Sequence, residues 1–227
     1  MEHSSSMKSW WPLALLAILG FAWVAALVAL PWVPEQIVTH WGINGTPDGS
    51  MGRVPGLFLL PALATLVSAL LQVVPHIDPL RRNYTAFMGV YRAIQVGIAL
   101  FLTVIELLLI ATALGLPVHV PQVSTVLVGL LFVGLGSVMG KVQPNWFVGI
   151  RTPWTLASPE VWARTHRVGG RVMTVAGAAI VLAGLLLPPA AATVVLLAGA
   201  LGLAGFSFGY SYWCWYQLQR RGDEPYM

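Results

Sequence analysis

Six apolar runs, at approximately residues 10–30, 57–74, 86–116, 122–139, 172–187 and 190–216, set the limits on what this chain can fold into. A bilayer core about 30 Å thick takes about 20 helical residues, so the runs have the length of membrane spans. Only 9% of residues are charged while 57% are hydrophobic, which excludes an ordinary soluble domain. The expectation is all-α: a polytopic membrane helix bundle of six transmembrane helices, residues 1–227 forming a single membrane domain. The first run resembles a signal peptide at its start, but its apolar core exceeds the usual 7 to 15 or so residues, so a retained span is expected.

Charge placement gives the orientation. With both termini inside, Lys8, Arg81, Arg82, Arg92, Lys141, Arg151, Arg164, Arg167, Arg171, Arg220 and Arg221 fall at or near the cytoplasmic side, and Arg53 alone falls outside. That is the bias of the positive-inside rule, and it predicts an N-in/C-in topology. The net charge of +4 therefore reflects membrane topology and lipid headgroups; the bilayer is the expected partner, with no direct nucleic-acid contact. The single cysteine, Cys214, excludes an internal disulfide, and no Cys/His group has zinc-ligand spacing, so neither metal nor cofactor is expected.

Two polar segments interrupt the oily pattern. Residues 31–56, with four prolines and five glycines, read as a structured extracytoplasmic loop. Within it Thr46-Pro47-Asp48-Gly49 has turn chemistry, and residues 37–41 suit a short strand or one helical turn. His40, Glu35 and Asp48 match no metal-ligand spacing, so a hydrogen-bonded loop is expected there. Residues 140–171, the other segment, hold five of the twelve Lys and Arg residues and form the expected cytoplasmic loop. Ser158-Pro159-Glu160 predicts an N-cap, a first-turn proline and an acidic residue at a positive helix end. A short amphipathic helix should follow, with Glu160 and Arg164 paired four apart and Gly169-Gly170 ending or bending it. Small residues elsewhere predict close helix crossings, at Gly136 and Gly140 and along the last span at Ala198, Gly202, Gly205 and Gly209.

One acid lies deep in an apolar run. On a helix, Arg92, Gln95, Thr103 and Glu106 fall within an arc of roughly 80°, a polar stripe that should face the bundle interior. Arg92 and Glu106 are about 21 Å apart along the axis, so Glu106 needs another partner or a proton.

Lys141, Pro144-Asn145-Trp146-Phe147, Gly149-Ile150-Arg151-Thr152-Pro153-Trp154-Thr155-Leu156, Ser158, Val161-Trp162 and Thr165-His166-Arg167, with Gly169-Gly170, together resemble the signature of the SdpI family of bacterial membrane proteins. The outer loop, with Pro34, Ile37, His40, Gly45 and Pro47-Asp48-Gly49, resembles the short domain of unknown function that commonly precedes it. One position departs: Ser137 follows Gly136 where the family pattern has asparagine. The resemblance implies a multi-pass protein of the bacterial plasma (inner) membrane. It further implies a role in immunity and signal transduction, with a secreted peptide toxin met outside and a small transcriptional repressor held inside, and no catalytic residues.

Three functions stay open at this point. In the first, a binding and signalling protein contacts its inner partner through Asn145, Gly149, Arg151, Thr152, Pro153, Trp154, Trp162, Arg164, Thr165, His166 and Arg167, and its outer one near His40, Pro47, Asp48 and Gly49. The second is a small transporter or intramembrane enzyme using Glu106, which lacks the second acid, HExxH helix or nucleophile–base pair that hydrolysis needs. In the third, the 140–171 loop is a purely structural latch.

Overall fold

A computed structural model describes residues 10–221. Its elements are α1 (Trp11–Ala29), the strands β1 (Gln36–Trp41) and β2 (Pro47–Gly52), α2 (Arg53–Ile77), α3 (Tyr84–Ala113), α4 (Val120–Met139), the short α5 (Pro153–Ala157), α6 (Pro159–Leu186) and α7 (Pro189–Arg220). Six of the helices are long and apolar enough to cross a membrane, so the expected polytopic bundle is what the chain forms. Lys8, counted above with the basic end, lies outside the described residues.

The bundle has two halves. Helices α1, α2 and α3 pack together, as do α4, α6 and α7, and the halves meet along α3 and α4. In the second half, α4 and α6 approach most closely, because their facing residues have no side chains to hold them apart. A methyl group at Gly170 would lie 2.7 Å from the Gly136 carbonyl oxygen, and one at Gly177 would lie 2.7 Å from that of Gly129. Without a hydrophobic drive between helices in lipid, such backbone contact supplies the van der Waals packing that holds spans together.

This packing corrects the expected end of the amphipathic helix. Gly169 and Gly170 neither end nor bend it; they are buried inside α6, which runs unbroken from Pro159 to Leu186 and merges the amphipathic segment with the expected span at 172–187. Glycine is a weak helix residue in water, but where two backbones touch, its missing side chain is what the contact requires. Three glycines of α7 behave oppositely. Gly202, Gly205 and Gly209 have nothing within 4 Å of where a side chain would begin, and so form no crossing among the described residues.

Other boundaries shift outward. The second run, read as 57–74, continues through Pro75, and α2 spans Arg53–Ile77. Within α2, Pro61 leaves a gap in the helical ladder, and Thr65 Oγ1 donates to the Pro61 carbonyl at 2.8 Å while itself accepting from Trp23 Nε1 of α1 at 3.0 Å.

The loop after α1 is a two-stranded antiparallel hairpin. Its reversal lies at Gly42 to Thr46, where Gly42 N–H donates to the Thr46 carbonyl at 2.8 Å. The turn expected at Thr46-Pro47-Asp48-Gly49 is therefore not the turn; residues from Pro47 onward belong to β2. Ladder pairing overrides local turn propensity here, and the register shifts between Val38 and Trp41 absorb the proline. From Gly52 the chain passes directly into α2, with Arg53 N–H donating to the Glu35 carbonyl at 2.8 Å.

Candidate functional site

The segment between α4 and α6 has little regular structure, and its shape is fixed by side chains. Asn145, fully buried, is the centre. Its amide nitrogen donates to the carbonyls of Gln143 at 2.9 Å and Val148 at 2.8 Å, and its amide oxygen accepts from the N–H groups of Phe147 at 2.9 Å and Val148 at 2.6 Å. One short amide thus supplies the hydrogen bonds a helix would otherwise have provided, which a buried backbone must have.

His166 plays the same part from α6. Its Nε2 accepts from the Ile150 N–H at 2.9 Å and its Nδ1 faces the Trp162 carbonyl at 2.9 Å, an arrangement that fits a neutral ring protonated on Nδ1. The ring stacks on Trp162 with centroids 4.0 Å apart, and Trp162 Nε1 in turn donates to the Val142 carbonyl at 2.8 Å. Gly149 sits against the imidazole with φ of 118°, a conformation and a closeness that exclude a side chain.

Thr152 caps α5 in a reciprocal box with Thr155, and Pro153 occupies the first turn. The Thr152 hydroxyl also donates to Ser211 Oγ of α7 at 2.9 Å, while Trp154 packs edge-on against Phe208 and Tyr212. Ser158 caps α6 as expected, accepting from Val161 N–H, and Glu160 pairs with Arg164. Thr165 is buried with its hydroxyl unpartnered.

A residue absent from the sequence reading ties this loop to the other half. Asp78, in the turn after α2, accepts from Leu80 N–H at 2.7 Å, Tyr84 OH at 2.9 Å and Trp146 N–H at 3.0 Å. Asn83 adds a bond to the Pro144 carbonyl at 2.8 Å. The signal in sequence was an Asp before Pro79, which reads as a local turn; nothing in it points to a partner 68 positions away. Between this turn, residues 143–146 and α5 lies an open cleft of about 460 Å³, rimmed by Trp146 and Leu156.

The expected contact residues consequently divide. Asn145, Thr152, Trp162, Thr165 and His166 face inward, whereas Arg151, Pro153 and Arg167 are exposed and Gly149, Trp154 and Arg164 are half-buried. Arg151 lies over the loop, its guanidinium donating to the Trp146 carbonyl at 2.6 Å.

At the hairpin end, His40 and Asp48 are joined across the strands, Nδ1 to Oδ1, at 2.5 Å, Gly49 pairs with His40, and Pro47 pairs with Trp41. These residues border a groove of about 680 Å³ floored by Leu59, Leu109 and Leu197.

The expected polar stripe is assembled along α3, facing α1 and α2. Gln95 Nε2 donates to the Ser68 carbonyl at 2.9 Å and Thr103 Oγ1 to Ala99 of its own helix at 2.9 Å. Glu106 is 2% exposed, and neither carboxyl oxygen has a hydrogen-bond partner. Arg92 stands apart at the basic end, its guanidinium 4.7 Å from the Trp11 ring.

With this geometry in view, a model of the SdpI/YfhL protein family matches residues 141–211, the loop with α5, α6 and most of α7. Residues 141–211 are thus similar to the SdpI family. A model for a domain of unknown function (DUF1648) matches residues 17–65, covering most of α1, the hairpin and the start of α2. Immunity protein SdpI of Bacillus subtilis (strain 168) is 20% identical over 162 residues, 71% of this chain and 75% of that protein. No solved structure matches the chain. With six spans and this similarity, it is a multi-pass protein of the bacterial plasma membrane. Its Asn145–His166 network lies inside the matched family region, and the α3 stripe lies outside both matched regions.

Proposed function

We propose that this protein gives the cell immunity to a secreted antimicrobial peptide and signals its presence inward. The observation that carries the reading is the similarity to an immunity protein over 162 residues, 71% of the chain. The groove beneath the hairpin is the receiving surface: it is apolar in its floor and polar at His40 and Asp48, which suits an amphiphilic peptide arriving at the membrane. With the basic end in the cytoplasm, the cleft between Trp146 and Leu156, with Arg151 bonded to the Trp146 carbonyl, is together with Arg164 and Arg167 of α6 the surface for a cytoplasmic partner such as a small repressor. The inward-facing residues Asn145, Thr152, Trp162 and His166 hold that surface in shape. The function is one of binding, and no catalytic residue is assigned.

Expression in a peptide-sensitive bacterial strain tests this. Cells carrying the chain should survive peptide concentrations that kill cells with an empty vector; no protection at matched membrane levels would sink the immunity role. Replacing Arg151, Arg164 and Arg167 together should keep the protein inserted while abolishing recruitment of the partner.

One observation favours a second reading, a small transporter or intramembrane enzyme: the buried, unpartnered carboxyl of Glu106. Under it, Glu106→Gln abolishes function at unchanged protein levels, whereas immunity by binding tolerates the exchange.

A further inference from the structure

At the basic end of the first half, the start of α1 and the α2–α3 turn enclose a cavity of about 370 Å³. Its wall is chemically uneven. Tyr91 OH donates to the Leu71 carbonyl at 2.5 Å, Gln95 to the Ser68 carbonyl and Tyr84 OH to Asp78, so these groups already have acceptors. His76 uses Nδ1 on the Gln72 carbonyl at 3.1 Å, and Thr85 donates to the Arg82 carbonyl at 2.8 Å. The cations do not. Arg81 and Arg92 both line the cavity, and Arg92 Nε is buried with no partner. Among the described residues neither arginine pairs with a carboxylate; the ion pairs there are His40–Asp48 and Glu160–Arg164. Asp78, the acid nearest in sequence to Arg81, is filled by three donors of its own.

Two arginines facing one cavity without a counter-charge, one of them with its Nε buried, constitute a positive site, and guanidinium forks match the oxygens of phosphate. Depth selects the source. Arg92 lies eight residues into α3 yet level with Trp11, the first residue of α1, with which it stacks. A tryptophan at the end of a span marks the headgroup layer, so the cavity sits where lipid phosphates lie. Leu71 and Met88 on its wall offer apolar surface to the glycerol and upper acyl region.

We propose that this cavity binds the phosphate of an anionic phospholipid headgroup through Arg81 and Arg92, with Trp11 holding the Arg92 guanidinium flat against the site. On the orientation the charge count predicts, the lipid belongs to the inner leaflet. Bound there, it braces α1 against the α2–α3 turn whose Asp78 and Asn83 hold the 140–158 loop.

The test uses the full chain reconstituted in vesicles of phosphatidylcholine and phosphatidylglycerol in equal parts, extracted in mild detergent and weighed by native mass spectrometry for retained lipid. The wild type should retain phosphatidylglycerol over phosphatidylcholine, with each of Arg81→Gln and Arg92→Gln lowering that preference about fivefold. Arg81 is exposed, so its replacement leaves the packing intact and reports on binding even if the Arg92 variant unfolds. An Arg220→Gln, Arg221→Gln double variant, which removes twice the charge of either single variant at the same end, should retain the preference. In pure phosphatidylcholine, inorganic phosphate should leave the thermal midpoint unchanged. A midpoint raised by inorganic phosphate in the wild type and not in the Arg81, Arg92 double variant would uphold the anion site but assign it to free phosphate. Equal lipid retention in all variants, or a loss as large in the Arg220, Arg221 control, would overturn the site.

Discussion

The 140–158 loop and the α3 stripe both bury polar groups, and they treat those groups in opposite ways. In the loop, Asn145 meets four backbone groups and His166 two. Along the stripe, Glu106 is as buried as Gln95 yet its carboxyl has no partner. A satisfied network specifies one backbone path and so behaves as a platform. A lone buried carboxyl contributes no such specification, and it avoids the larger cost of a buried charge only by holding its proton. The platform belongs to the region the family model matches, while the stripe is particular to the part of the chain between the two matched regions. Polarity alone therefore does not mark the site; the number of partners separates scaffold from candidate.

Replacing the loop's centre should have the largest effect. Asn145→Ala leaves the Phe147 and Val148 amides and the Gln143 and Val148 carbonyls without partners, at a cost of about 4 kcal/mol when lost desolvation is counted. Thermal unfolding in detergent should show the deepest fall in midpoint of the series. His166→Phe keeps a ring on Trp162 but removes the acceptor for Ile150, costing about 2 kcal/mol; His166→Gln should recover part of it. Glu106→Leu should have the opposite sign, raising the midpoint by an amount worth about 1 kcal/mol, because it exchanges an unpartnered carboxyl for an apolar group of similar length. A fall as deep as that of His166→Phe would mean the carboxyl has a partner and would erase the contrast between the two regions. The smallest change belongs to Arg164→Ala, at most about 0.5 kcal/mol in stability, since its pair with Glu160 is partly in solvent. Its consequence should appear in partner recruitment instead.

These regions also differ in how much of them could be read beforehand. Periodicity and charge located six spans, the Ser158 cap, the Glu160–Arg164 pair and the inward face of Gln95, Thr103 and Glu106, since each depends on neighbours within one helix turn. What escaped depends on contacts far apart in sequence. Gly170 reads as a helix breaker until Gly136 lies against it, and Asp78 reads as a turn residue until Trp146 reaches it. His166 looks like a surface contact at i+4 from Trp162, and its burial follows from the path of residues 149–150 across it. The small residues of α7 suggest a crossing by spacing alone, yet the neighbours within this chain lie elsewhere. Local chemistry writes the elements; which faces meet is decided by the assembled bundle.

Hydrogen exchange of the loop amides, with the protein in a lipid nanodisc, tests most directly whether side chains make this loop a platform. Phe147, Val148 and Ile150 lie outside any helix, but their N–H groups are held by Asn145 and His166. They should exchange as slowly as amides within α6 and be released together in Asn145→Ala. Exchange of all three at the rate of an open loop in the wild type would contradict the platform.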